Sequence, residues 1–186
     1  MRHHPLQAQR GISLVEVLIS MVILAVGLLS LVGLQGRLQV LQLESYQRSQ
    51  GLLLLHDMAS RIALNRNNAA DYVTGSPLGV GMTCPADTTT RQVADFSDWC
   101  AALQGAAETA GGSQVGAMLG GRGCVQNIGS DTYLVTVAWQ GVIPISAPPA
   151  NVDCGQDLYD GGVDSPCQAD LCRRAVTTIV RIGTLT

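Results

Sequence analysis

The hydrophobic and polar positions divide the chain into an apolar segment, an amphipathic segment and a mixed remainder. From Val17 to Gly36 there are twenty residues without a charge or a proline, which is the length an α-helix needs to cross a bilayer core. The chain opens with MRHHPLQAQRG, which carries two arginines and no acid. Cationic flanks stay on the cytoplasmic side, so the pattern predicts a membrane-spanning helix with a cytoplasmic N-terminus and the remaining chain outside.

The apolar pattern continues beyond this run at helical spacing. Apolar residues recur at mostly three- and four-residue steps, and polar residues such as Gln47 and Arg61 fall largely between them. The stripe comprises Leu38, Leu41, Tyr46, Leu52, Leu55, Met58, Ala59 and Ile62. It predicts that the helix continues through an amphipathic segment, residues 37–68, with one face available to a sheet. From Ile12 to about Asn65, such a helix would be roughly 80 Å long at 1.5 Å per residue.

Four glycines weaken this helix, at Gly27, Gly33, Gly36 and Gly51. Each costs roughly 1 kcal/mol relative to alanine. Close packing between helices is one explanation, since small residues let transmembrane helices approach. Tolerated glycines without a role are the other.

The remainder, residues 69–186, predicts a globular head. Residues 69–94 are rich in Gly, Thr, Pro and Ala and predict loop with at most short elements. A short helix is expected from near Ser97 to Gly111, burying Trp99, Leu103 and Ala106 on one side. Two segments, DTYLVTVAWQG and RRAVTTIVRIGTL, alternate as strands do. We therefore expect an α+β fold, with an antiparallel sheet on the outer half of the long helix.

Alternation also assigns faces within the two strands. In the first, Tyr133, Val135, Val137 and Trp139 share one face and Leu134, Thr136 and Ala138 share the other. The segment between the strands is rich in proline and glycine, and we expect a long excursion held by Cys154 and Cys167.

The cysteines indicate the compartment of the head. All six lie beyond the apolar run, at Cys84, Cys100, Cys124, Cys154, Cys167 and Cys172. An even number confined to one side of a membrane segment favours disulfides in an oxidising compartment. Structural zinc is the competing account, but no CxxC pair is present. Six cysteines permit fifteen pairings, and the spacing does not choose among them.

One charge interrupts the apolar N-terminal region, at Glu16. A removed secretory signal would have a shorter apolar core and a small-residue cleavage site, and none stands out here. A simple signal anchor fits the hydropathy but does not explain the acid. A carboxylate in a membrane helix costs several kcal/mol without a partner, so Glu16 is a candidate functional residue.

The residues RG followed by ISLVEVLISMVILAVGLLSL resemble the class III signal of type IV prepilins. The resemblance implies that residues 1–11 are a leader peptide, cut by a prepilin peptidase between Gly11 and Ile12, and that Ile12 is then N-methylated. It implies that Glu16, the fifth residue of the mature chain, pairs with the N-terminal amine of a neighbouring subunit during assembly. Family members most often begin with phenylalanine, so Ile12 departs from the commonest form. The implied fold is the type IV pilin fold, with residues 12–36 as the transmembrane and assembly helix.

Within that family, GISLVEVLISMVILAVGLL followed by GLQ is most similar to minor pilins of the PilV type. The resemblance covers the leader and the helix and not the head beyond Asn68. It implies a low-abundance structural subunit that primes pilus assembly in the inner membrane and ends at the pilus tip. The implied partners are other minor and major pilins, the prepilin peptidase, the inner-membrane assembly machinery and, as a further candidate, a tip adhesin.

Two other functions stay open at this point. A pseudopilin of a type II secretion system would share the N-terminal signal and the long helix. A membrane-anchored periplasmic binding or thiol-redox module would keep its leader and tolerate changes at Glu16. The formal net charge of −3 argues against nucleic acid as a partner.

Catalytic signatures do not occur in the sequence. There is no G-x-S-x-G, P-loop, H-E-x-x-H or CxxC motif. His56 has no evident nucleophile beside it, and we expect a packed or surface histidine. The acidic residues from Asp153 to Asp170 lack the order of a calcium loop and are read as solvated loop acids, with calcium as the alternative. We expect no enzyme activity, no cofactor and no resident metal.

Overall fold

The computed structural model describes residues 13–106, 109–110, 113–114 and 118–183. The chain divides after Gln42 into two compact units, which are described separately. Gly11, Ile12 and the predicted leader lie outside the described residues. The helices are α1 (Leu14–Leu64), a 3₁₀ helix (Arg66–Tyr72) and α2 (Arg91–Leu103). The strands are β1 (Leu78–Gly79), β2 (Thr109–Ala110), β3 (Ser113–Gln114), β4 (Arg122–Gly129), β5 (Thr132–Gln140) and β6 (Arg173–Arg181).

The second unit is built on a four-stranded antiparallel sheet in the order β1-β4-β5-β6. The part of α1 beyond Leu43 packs on one face of this sheet together with α2. The two strands predicted from alternation are β5 and β6, and they pair without a register shift over nine residues. The long N-terminal helix, the antiparallel sheet and the disulfides confirm the predicted α+β class and are consistent with the type IV pilin fold.

The face of α1 that packs on the sheet differs from the predicted stripe in the N-terminal half of the amphipathic segment, where residues adjacent to the predicted ones are buried. The buried positions are Gln47, Gly51, Leu55, Met58 and Ile62, whereas Tyr46 and Leu52 are exposed. The prediction that these two belong to the buried stripe and Gln47 to the polar face is therefore wrong. Gln47 is tolerated in the core because its Oε1 accepts a hydrogen bond from the backbone N–H of Leu119 at 3.0 Å.

Gly51 explains how the helix approaches the sheet at this place. A Cβ atom on Gly51 would lie 2.9 Å from Cζ3 of Trp139 and 3.3 Å from the sulfur of Met118. The absence of a side chain thus lets the indole of Trp139 lie directly against the helix backbone. Gly51 is therefore closely packed, but against a strand of the same chain and not against another helix, so neither of the two explanations for the glycines describes it.

The predicted short helix lies too far along the chain: α2 begins six residues before the predicted start at Ser97 and ends eight residues before the predicted end at Gly111. α2 begins at Arg91, because the side chain of Thr90 accepts a hydrogen bond from the Val93 N–H and caps the helix. It ends at Leu103, followed by Gly105 at φ +90°, so Ala106 lies beyond the helix and is exposed. The burial of Trp99 and Leu103 was predicted correctly.

The sequence patterns did not predict β4. Its buried residues Gly123, Cys124 and Val125 are consecutive, without alternation, because both faces of the strand are covered there. The indole of Trp99 packs over Gly123 on the helix side, where a Cβ atom would clash. On the other side Cys124 bonds to Cys154. A strand covered on both faces gives no period-two signal.

The predicted face assignment of β5 is confirmed for its inner face. Tyr133, Val135, Val137 and Trp139 are all buried in the core with α1 and α2. The opposite face is also buried at Thr136 and Ala138. The segment between β5 and β6, residues 141–172, supplies Val152, Cys154 and Tyr159 to the buried set, and the Cys124–Cys154 bond holds it to β4.

Candidate functional site

The N-terminal part of α1 is an apolar helix whose side chains have no partner within the chain. Every large hydrophobic residue from Leu14 to Leu34 is at least 42% exposed. By length and composition, α1 is the single helix in the described part of the chain that is apolar enough to cross a membrane, and its most apolar window has no buried residue. A surface of this kind in water would be an aggregation hazard. The helix therefore needs a lipid or protein environment.

Glu16 lies in the first turn of this helix. Its backbone N–H donates a hydrogen bond to the Ser13 carbonyl at 3.0 Å, and its side chain is exposed. Among the described residues the Glu16 carboxylate takes part in no ion pair. An acidic side chain is favoured at a helix N-terminus by the helix dipole, but this gain is smaller than the cost of a carboxylate in lipid. Glu16 is thus an exposed acid in the first turn of an apolar helix, without an ion pair in the described part of the chain.

The hydroxyl groups of the apolar helix are satisfied within the helix. Ser20 Oγ donates to the Glu16 carbonyl at 2.8 Å and Ser30 Oγ donates to the Val26 carbonyl at 3.0 Å. Backbone and hydroxyl groups in hydrocarbon need such internal partners. The helix is continuous through Gly33, and a Cβ atom on Gly27, Gly33 or Gly36 would meet nothing within 4 Å.

In the head, the six cysteines form three disulfides: Cys84–Cys100, Cys124–Cys154 and Cys167–Cys172. The first joins the loop before α2 to that helix. The second joins β4 to the segment between β5 and β6, and the third closes a short loop before β6. Sequence spacing left this pairing open because it depends on which strands become neighbours.

A buried ionic cluster joins α1, the 3₁₀ helix and α2. Asp95 is 3% exposed, and its carboxylate accepts hydrogen bonds from Arg61 Nη1 at 2.7 Å and from the Tyr72 hydroxyl at 2.5 Å. Arg61 also bonds to Asp57 at 2.9 Å. Burial lowers the pKa of Arg61, but the hydrogen bonds to Asp95 and Asp57 outweigh it, so the pKa is raised above its usual value.

Burial, and next the hydrogen bond to Asp95, raise the pKa of Tyr72 to about 12. Sequence reasoning missed this cluster because its members are 34 and 23 residues apart. All of its groups are satisfied within the head, so it serves structure.

The acidic loop between β5 and β6 is organised by an arginine. Arg173 is 3% exposed and pairs with Asp170 at 2.9 Å. It also donates to the Val152 carbonyl at 2.6 Å. The carboxylate of Asp160 accepts from the backbone N–H groups of Ala169 and Asp170. These acids therefore stabilise the loop conformation through hydrogen bonds and ion pairs. In the described residues, no group of three or more His, Cys, Asp or Glu side chains is arranged to hold a metal ion.

His56, which was expected to be a packed or surface histidine, lies exposed on α1.

Residues 6–32 match the family described as the prokaryotic N-terminal methylation motif. The match spans the end of the predicted leader, Gly11, Ile12, Glu16 and most of the apolar helix. No curated protein and no solved structure is significantly similar to the chain. The motif marks structural subunits that a prepilin peptidase processes and the pilin machinery assembles, and it is not the motif of an enzyme class. The chain therefore carries a class III prepilin signal, which supports a type IV pilin-like or pseudopilin-type subunit, and its apolar N-terminal helix supports anchoring in a membrane.

Proposed function

We propose that this protein is a minor pilin, a low-abundance subunit that primes type IV pilus assembly and sits at or near the pilus tip. The observation that carries the proposal is Glu16, an acid in the first turn of an exposed apolar helix that forms no ion pair within the described residues, inside the matched methylation motif. The likeness of the leader and helix to minor pilins of the PilV type supports the minor role. Three disulfides in the head suit a subunit that is exposed outside the cell.

The first step of the proposed function is processing. Prepilin peptidase cleaves between Gly11 and Ile12, and Ile12 becomes the N-methylated first residue. Cleavage creates an α-amino group, which is a cation at neutral pH. The same cut removes Arg2 and Arg10 from the chain, so the new terminus is the cation nearest to Glu16 in the sequence.

The second step is docking into the growing fibre. A carboxylate at the centre of a membrane helix costs about 3 kcal/mol on insertion scales, and the cost is smaller at the end of the helix, where Glu16 lies. When the Glu16 carboxylate of an incoming subunit meets the N-terminal amine of its neighbour, two charges that are poorly solvated in lipid neutralise each other. This pairing favours one axial register between the two helices and disfavours the free monomer.

The cleavage site is tested by Gly11→Leu, with Ala8→Leu as the control in the same leader. We expect Gly11→Leu to stay full-length when it is coexpressed with the peptidase, because the side chain blocks the position before the cut. The control should lose residues 1–11. Intact mass spectrometry distinguishes the two products, and a mature Gly11→Leu chain beginning at Ile12 would refute the assigned cut.

The pairing model is tested by Glu16→Ala, with Ser20→Ala as the control one turn further along the helix. Glu16→Ala should still be cleaved, but its incorporation into sheared fibres should fall by on the order of tenfold or more, because the neighbour's amine is left unpaired. Ser20→Ala removes only a hydroxyl bonded within its own helix and should incorporate normally. Normal incorporation of Glu16→Ala would rule out the pairing.

The alternative assignments give different outcomes in a deletion strain and in the processing assay. A minor pilin is required for piliation, whereas a type II secretion pseudopilin is required for export of secreted proteins. A membrane-anchored binding module would keep its leader in the presence of the peptidase. Intact piliation together with lost secretion would therefore replace the proposed function by the pseudopilin assignment.

A further inference from the structure

The loop that follows β5 exposes three apolar side chains at one end of the head. Val142, Ile143 and Ile145 are 39%, 45% and 63% exposed. They belong to a stretch from Gly141 to Val152 that contains no charged residue. Three large aliphatic side chains exposed within four residues are a candidate contact surface.

This loop is held in place by Glu44 of α1, by Arg174 of β6 and by the backbone of Leu171. The backbone N–H of Val142 donates to Glu44 Oε1 at 2.7 Å. Arg174 donates to the Ile143 carbonyl at 2.5 Å and forms an ion pair with Glu44 at 3.5 Å. The backbone of Ile145 donates to the Leu171 carbonyl at 2.9 Å. The apolar side chains therefore stay exposed on a fixed backbone.

A groove of about 460 Å³ lies beside the loop and adds a cation to the same surface. Arg48, Trp139 and Ile145 are among its lining residues. Arg48 is exposed and takes part in no ion pair within the described part of the chain. Because Glu44 and Arg174 neutralise each other, Arg48 is the uncompensated charge of the groove.

The position of this surface along the chain favours the bilayer surface as its binding partner. Leu43 is the first residue of the head unit, and only six residues lie between it and Gly36, where the uncharged run ends. Even a fully extended chain of that length reaches no further than roughly 25 Å. While the helix is anchored in a membrane, the bilayer surface is the partner that is always within reach of this end of the head.

We propose that Val142, Ile143, Ile145 and Arg48 form a lipid-contacting surface that rests on the outer face of the membrane before the subunit enters a fibre. Aliphatic side chains next to a cation are the chemistry of interfacial contacts with anionic lipid. In this arrangement the three aliphatic tips lie among the headgroups and the Arg48 guanidinium pairs with a lipid phosphate. The proposal requires membrane anchoring but neither a minor role nor a position at the tip.

The test uses the full-length chain in liposomes of anionic and neutral phospholipid, with an environment-sensitive fluorophore on an introduced cysteine. Ile145→Cys places the label on the proposed surface. Ile128→Cys is the matched control, since Ile128 is also an exposed isoleucine, at 50%. It lies beside the β4–β5 hairpin, and β5 runs for nine residues, about 26 Å, from that hairpin to the loop.

We expect the label at position 145 to be blue-shifted and quenched by lipids that carry a quencher at the headgroup, with the label at 128 unaffected. Arg48→Gln in the Ile145→Cys background should lower the contact equilibrium in anionic liposomes by about fivefold and have little effect in neutral ones. Equal responses at 145 and 128, whether both quenched or both unquenched, would overturn the proposal. An unquenched label at 145 would point to a protein partner for this surface.

Discussion

Removal of the Cys124–Cys154 disulfide is the most informative perturbation of the head. The bond joins residues 30 apart in the sequence, and both sulfurs are buried. In the chain-entropy description, a crosslink closing a loop of this size stabilises the folded state by about 3.5 kcal/mol, whereas a five-residue loop gives about 2 kcal/mol. The shorter loop is that of Cys167–Cys172, separated by five residues, and it provides a control within the same segment.

The variants to compare are Cys124→Ala with Cys154→Ala, and Cys167→Ala with Cys172→Ala. Urea unfolding of the full chain in detergent, followed by fluorescence, reports on the head because Trp99 and Trp139 are both buried there. We expect the first double variant to lose about 1.5 kcal/mol more of the free energy of unfolding than the second. Since single domains are stable by only about 5–15 kcal/mol, a loss of this size leaves a marginal head.

The loss of stability in the first double variant should also be confined to one part of the head. Without the bond, the segment between β5 and β6 is freed from β4 and the buried face with Thr136 and Ala138 opens, so limited proteolysis should cut near Asp153 in the first variant and spare the second. Equal losses in the two double variants, or a larger loss in the second, would show that the long crosslink does not hold this face. The reasoning from loop closure would then be wrong.

Two further predictions concern the packing of α1 and the buried cluster. Gly51→Ala should lower the free energy of unfolding of the head by about 1 kcal/mol, because overpacking against Trp139 costs roughly 1–3 kcal/mol and helix propensity returns about 1 kcal/mol. Gly33→Ala, where a Cβ atom meets nothing, should leave urea unfolding unchanged, and equal behaviour of the two variants would contradict the close contact. The pKa of Tyr72 is raised to about 12 in the folded head from about 10 in the unfolded chain, so its contribution to stability is complete below pH 10 and is lost as the pH rises through 12. Between pH 10 and 12, the free energy of unfolding obtained from urea titrations should therefore fall less steeply with pH for Tyr72→Phe than for the unchanged chain. Identical pH slopes for the two proteins would exclude this linkage.

The sequence alone was sufficient for the features that depend on local, one-dimensional patterns. The uncharged run from Val17 to Gly36 predicts a helix that needs lipid, because its length and polarity are properties of consecutive residues. Glu16 could be singled out for the same reason. The alternation in β5 predicted which side chains are in the core, because neighbouring side chains in a strand point to opposite faces.

Only the tertiary structure decided where segments distant in the chain meet. Gln47 and Gly51 could not be recognised as buried, because their burial depends on the Leu119 backbone and the Trp139 ring, both contributed from the region of the sheet. β4 lacks alternation because both of its faces are covered. The disulfide pairing, and the meeting of Asp95 with Arg61 and Tyr72, likewise follow from the order of the strands and the docking of α2. The alternation of polar and apolar residues along an element indicates which of its faces is exposed to solvent. It does not indicate which other element packs on the buried face, and these contacts depend on that.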